Sequence, residues 1–165
     1  MRTRILNFSM RSLTKLDVDI IYDLCKENEL YYQFCPPFVT KTSILKDMFI
    51  KPDNVLDKDK HYLGIFKERQ LIAILDLITH YPNVNTVFLG FFMVRKSIQN
   101  RGIGSKIINE LICQLQEDGY QYVQLAWIKG NLQSERFWIK NLFQPIKETK
   151  SDSVNSIVIL AKRRI

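Results

Sequence analysis

Residues 99–104, Gln99-Asn100-Arg101-Gly102-Ile103-Gly104, stand between an apolar run at 87–94 and an amphipathic stretch that begins near Ile103. Strand, glycine-bearing turn and helix start in that order aim several backbone N–H groups and the positive end of a helix dipole at one point. Such a point favours an anion, and the glycines at 102 and 104 leave a phosphate room to approach the main chain. The stretch reads as a pyrophosphate cradle. Asp76 is a second residue with chemical potential, a single carboxylate inside Leu71-Ile72-Ala73-Ile74-Leu75-Asp76-Leu77-Ile78. A charge in such a strand is paired, hydrogen-bonded, functional, or turned by alternation to a solvated face. His61 and His80 are lone histidines near strand ends, where structural or surface roles are the ordinary case.

Composition narrows the setting. A chain of 165 residues with 46% hydrophobic and 25% charged side chains suits one domain with a real core. Its three cysteines, Cys25, Cys35 and Cys113, lie far apart, which argues against a disulfide framework or a zinc site and fits the reducing cytoplasm. The first residues carry no long apolar core behind their charges, so no signal peptide is expected. Apolar runs reach only about eight residues, too short to span a bilayer, and no membrane role is expected. The net charge of +7 invites a nucleic-acid reading, yet Lys162-Arg163-Arg164 is the one tight basic cluster. A compact polyanionic ligand, or plain solubility, accounts for that excess equally well.

The elements that must position these residues follow from periodicity and punctuation. Residues 5–8 read as a short opening strand. Thr14-Lys15-Leu16-Asp17 resembles a capped helix start, and Ile20, Ile21, Leu24 and Cys25 continue at helical spacing, giving a helix at 15–28. The aromatic stretch 30–38 closes on Pro36-Pro37, which predicts an extended path. Thr42 or Ser43 caps a second helix that ends before Pro52. Strands follow at 62–66, 71–78 and 87–94, then a helix with an apolar stripe from Ile103 to Leu115 and Gly119 past its end. A strand at 122–128, a helix at 131–141 and strands at 146–149 and 156–161 complete the chain. The order is β-α-α-β-β-β-α-β-α-β-β, an α/β (α+β) arrangement on a mixed sheet, with 87–94 and 122–128 parallel across a crossover helix.

This order and two motifs resemble the GNAT superfamily of N-acetyltransferases. Val94-x-x-x-x-Gln99-x-x-Gly102-x-Gly104 fits that family's Q/R-x-x-G-x-G/A acyl-CoA signature. Asn131-x-x-Ser134-x-x-Phe137-Trp138-x-Lys140-x-x-Phe143 follows at the family's usual distance. A dinucleotide fold would want three glycines after a first strand and an acid about 20 residues on, whereas this chain has two glycines, mid-chain, after a series of strands. The resemblance implies a GNAT-like acyl-CoA N-acyltransferase fold and acetyl-CoA as co-substrate. It implies that backbone amides of 99–105 hold the CoA pyrophosphate, through Gln99, Asn100, Arg101, Gly102, Ile103, Gly104 and Ser105, with the Gln99, Arg101 and Ser105 side chains alongside. Phe92, Met93 and Val94 would offer backbone hydrogen bonds to the pantetheine arm, Asn131 would contact its amides, and Lys140 would lie near the nucleotide phosphate. Solvated surface charge is the plain alternative for Arg101 and Lys140, and a helix cap for Asn131; Phe137 reads as core.

Acetyl transfer to an amine needs a deprotonated nucleophile, stabilisation of an oxyanion and a proton for the departing thiolate. A backbone N–H on 87–94, at or near Met93, suits the oxyanion. For the proton, the family often places Tyr where this chain has Trp138, and an indole N–H does not ionise near neutral pH. Ser134, the nearest by its position in the second motif, Tyr31, Tyr32 and solvent are the remaining donors. Asp76 is the candidate for amine recognition or general base. By resemblance, 31–38 lines the acceptor pocket. The expected reaction is direct attack by a primary amine of a small molecule or peptide on acetyl-CoA; oligomeric state stays open, a homodimer included. A non-catalytic acyl-CoA-binding sensor is the alternative that the Trp138 departure keeps in view.

Overall fold

The computed structural model describes residues 4–5, 8–151 and 155–165. The strands are β1 (Arg4–Ile5), β2 (Phe8–Ser12), β3 (Lys60–Lys67), β4 (Gln70–Ile78), β5 (Thr86–Val94), β6 (Tyr122–Ile128), β7 (Gln144–Ser151) and β8 (Ser156–Arg164). They form one sheet in the order β1-β2-β3-β4-β5-β6-β8-β7. The β5–β6 pair is parallel, as the crossover helix between them requires, and its neighbours are antiparallel. The helices are α1 (Val18–Cys25), α2 (Glu29–Phe34), α3 (Lys41–Asp47), α4 (Ile103–Glu117) and α5 (Leu132–Lys140).

Two apolar layers sandwich the sheet. Ile107, Ile108, Leu111, Ile112 and Leu115 of α4 pack with Trp138 of α5 against Leu75, Val87, Leu89, Val123 and Leu125. On the opposite face Ile21, Leu24 and Cys25 of α1 and Ile44 of α3 meet Tyr62, Ile74 and Met93. The α4 stripe is buried as its spacing predicts, and each such side chain contributes about 1.5–3 kcal/mol of gross burial. Gly119, at φ +90°, follows the α4 C-terminus, where a left-handed residue ends the helix without a Cβ penalty.

Three expectations change. The anticipated helix at 15–28 is a 3-10 turn at Lys15–Asp17 leading into α1, which stops at Cys25. The segment 29–34 is helical, not extended, because Pro36 restricts only the residue before it; α2 runs to Phe34 and ends at Cys35. The α3 cap is Thr40 rather than Thr42 or Ser43: Thr40 Oγ1 accepts from the Ser43 amide and Ser43 Oγ from the Thr40 amide, both at 3.0 Å. The opening strand expected at 5–8 lies partly outside the described residues; from Phe8 onward β2 continues to Ser12.

One irregularity shapes the centre. Asp76 pairs with Phe91 but Leu77 with Leu89, so Gly90 is an extra residue bulged out of β5. The bulge inverts alternation: Val87 and Leu89 face α4, while Phe91 and Met93 turn toward α1 and α2.

Candidate active site

Beyond β5 the chain makes a 3-10 turn at Lys96–Ile98, and then left-handed residues at Asn100 (φ +60°) and Gly102 (φ +75°) deliver it into α4. The first intrahelical bond of α4 runs from the Lys106 amide to the Gly102 carbonyl, which leaves the amides of 103–105 without helical partners. No side chain caps this end and its first turn holds no acid. Unpaired donors and an unopposed dipole therefore point the same way, toward an anion.

The two glycines serve different purposes. A Cβ on Gly102 would meet nothing within 4 Å, so its need is the left-handed φ, and the space in front of it is open. A Cβ on Gly104 would lie 3.1 Å from Phe137, so Gly104 is where α4 and α5 approach closely. That corrects the expectation that both glycines make room for phosphate. The Gln99 side chain also differs from expectation. Its Nε2 donates to the Val94 carbonyl (2.8 Å) and to Asn28 Oδ1 (2.6 Å), so its amide hydrogens are engaged within the protein.

The β5–β6 ladder spans only Thr86↔Tyr122, Val87↔Val123 and Phe88↔Gln124. From Gly90 onward the strands part, and the backbone groups of β5 that would have paired with β6 are left for another extended partner. This wedge opens into a cleft of about 620 Å³ lined by Phe92, Met93, Val94, Gln99, Asn100, Gly102, Gly104, Ser105, Ser134, Trp138 and Lys140, with Tyr31 at the α2 side. A long ligand with an anionic end and an amide-bearing arm fits these features.

Comparison with known proteins agrees. A model of the Acetyltransferase (GNAT) family matches residues 21–142. The chain belongs to this family. It is an acetyl-CoA-dependent N-acetyltransferase. An acetyltransferase from Thermus thermophilus has the same fold over 99% of this chain and 100% of its own, at TM-score 0.81 and 16% identity. An acetyltransferase of Salmonella typhimurium that modifies the N-terminal serine of ribosomal protein L7/L12 aligns over 100% and 99%, at 0.78 and 14%. A Thermoplasma acidophilum N-acetyltransferase in complex with coenzyme A aligns over 97% and 100%, at 0.68 and 16%. No curated protein sequence matches the chain.

Of the other expected site residues of this GNAT acetyltransferase, Arg101, Ile103, Asn131 and Tyr32 sit outside the cleft lining. Arg101 and Ile103 belong to the turn without lining the cleft, and Arg101 makes no ion pair among the described residues. Asn131 is 5% exposed and caps α5, accepting from the Ser134 amide at 3.2 Å. Tyr32 sits outside the cleft lining, and burial raises the pKa values of its hydroxyl and of the Cys25 thiol, the thiol to about 11. Tyr31 lines the cleft, and burial pushes its pKa well up. Trp138 packs among Phe92, Phe137 and Phe143 with ring centroids 4.8–5.9 Å away.

Asp76 is also absent from the cleft lining. Its Oδ2 meets Lys60 Nζ at 2.6 Å, while Oδ1 is buried with no partner. Burial raises its pKa, opposed by Lys60. Lys60 is what permits a carboxylate in this apolar strand. Sequence reasoning missed Asn28, Gln133 and Arg136, and assigned Phe137 to the core although it also lines the cleft. Arg136 and Lys140, four residues apart on α5, were legible as a basic pair; Asn28 carried no signal, since its partner is 71 residues away.

Proposed function

We propose that this acetyltransferase moves the acetyl group of acetyl-CoA to a primary amine, on a peptide or small molecule, by direct attack in a ternary complex. The carrying observation is that the uncapped α4 N-terminus and the open β5–β6 wedge share one cleft. The amides at 101–105 take the pyrophosphate, with Arg101, Arg136 and Lys140 supplying positive charge around it. Main-chain groups of Phe92, Met93 and Val94 hold the pantetheine as an added strand, helped by the Asn131 side-chain nitrogen. A β5 amide near Met93 stabilises the oxyanion.

Trp138 supplies no proton. Ser134, whose hydroxyl makes no bond within the protein among the described residues, orders the water that protonates the leaving thiolate. The acceptor enters along the α2 side, where Tyr31 and Phe91 stack edge-on at 5.4 Å. Asp76 ties β4 to β3 through Lys60, and the amine sheds its proton to solvent. The Salmonella neighbour's action on a protein N-terminus supports testing peptide amines first.

The test is thiol release from acetyl-CoA across peptide N-termini, lysine side chains and polyamines. Release above the hydrolysis background with one amine class is expected. Tight acetyl-CoA binding without turnover on any amine overturns the proposal.

A further inference from the structure

Asn28 is the N-cap residue of α2, yet its side chain caps nothing there. An asparagine in that position ordinarily accepts from the first-turn amides of its own helix. Here it faces the other way. Oδ1 accepts from Gln99 Nε2 at 2.6 Å, and Nδ2 donates to the carbonyls of Leu24 (3.1 Å) and Val94 (3.4 Å). Gln99 Nε2 shares the same Val94 carbonyl at 2.8 Å. One residue earlier, Glu27 meets Arg95 at 3.5 Å, and Arg95 Nε donates to the Leu71 carbonyl at 2.9 Å. The junction of α1 and α2 is thus fastened to the end of β5 and to the first residue of the cradle.

On its far side the same junction sets the start of α2. The Tyr31 amide donates to the Asn28 carbonyl at 3.2 Å, and Tyr31 lines the cleft against Phe91. Asn28 therefore touches both the turn beneath the anion site and the helix that carries the aromatic wall. We infer that Asn28 is a positioning residue that couples occupancy of the cradle at 99–105 to the order of α2, so that acetyl-CoA sets the acceptor wall before the amine arrives. The inference rests on the reading that the cradle holds the CoA pyrophosphate and that Tyr31 faces the acceptor. Linkage makes the coupling reciprocal: whatever orders α2 tightens acetyl-CoA.

Backbone hydrogen exchange of the full chain, with and without CoA as the probe, tests it. In the unsubstituted protein CoA slows exchange both at 99–105 and at 29–34. In Asn28→Ala the cradle remains protected at saturating CoA, the slowing at 29–34 is lost, and CoA affinity falls about five- to tenfold, because Gln99 loses a half-buried acceptor. Should Asn28→Ala fail to fold, Gln99→Met cuts the same contact from the other side with the same expected pattern. Slowing at 99–105 with none at 29–34 in the unsubstituted protein overturns the coupling, as does slowing at 29–34 that survives both substitutions. CoA that protects neither segment overturns the pyrophosphate reading itself.

Discussion

Gly102 and Gly104 look alike in the motif and differ in what they require. Gly102→Ala meets no neighbour but must hold a left-handed backbone, at about 1–2 kcal/mol. Thermal unfolding should register that loss, and acetyl-CoA affinity should fall with it as the turn relaxes. Gly104→Ala instead presses on Phe137, 3.1 Å from the added Cβ, and Phe137→Leu beside it should relieve that contact. Equal and additive losses in the two cases would contradict this division. At Trp138 the expectation is kinetic. A general acid is worth about 10²–10⁴-fold, so Trp138→Phe should cost far less than 100-fold in turnover. Asp76→Ala strands a buried Lys60 and should destabilise by about 3–5 kcal/mol, whereas Lys60→Met with Asp76→Leu should restore most of it. Chemical denaturation of the single and double variants decides that point.

At the scale of elements, the corner from β2 into α1 shows how local chemistry becomes tertiary. Arg11 grips Asp17 through contacts of 2.7 and 2.9 Å, and the Thr14 amide donates to the same carboxylate at 2.8 Å. The Arg11 hydrogen bond, aided by Thr14, holds the Asp17 pKa below its ordinary 3.8 against some desolvation. A depressed carboxylate contributes stability that is present above 3.8 and is lost as pH falls through the lower folded value. Asp17→Asn should therefore melt lower than the parent at pH 7, and the two curves should converge in strong acid.

The helices show how much of this was legible. The α4 stripe was plain because one face of a long helix repeats without interruption. The segment 29–34 was misjudged because two prolines were read as governing residues upstream of their reach, while the packing of Tyr31 on Phe91 and Tyr32 on Phe38 that holds α2 in place is tertiary. The bulge at Gly90 left no periodic trace either. It shows only once β4 and β5 are paired, although it decides which face Phe91 and Met93 join.

For the whole molecule, ligand and fold stabilise one another. Acetyl-CoA at 100 times its Kd should add about 2.7 kcal/mol, or about 5–10 °C in Tm for a chain of this size. Calorimetry in which duplex DNA produces a similar shift, and acetyl-CoA none, would return the +7 charge to the nucleic-acid reading set aside from sequence.

The sequence by itself determined the order of most elements, the glycine-bearing turn into the helix at 103 and the cap at Asn131, because each is set by residues within a turn or two of one another. Only the tertiary structure decided where the side chains at that turn point. Gln99 turns inward to Asn28, Gly104 yields to Phe137, and Asp76 finds Lys60 across the sheet. Those partners are brought together by strand pairing and helix packing between distant segments, which no local spacing encodes.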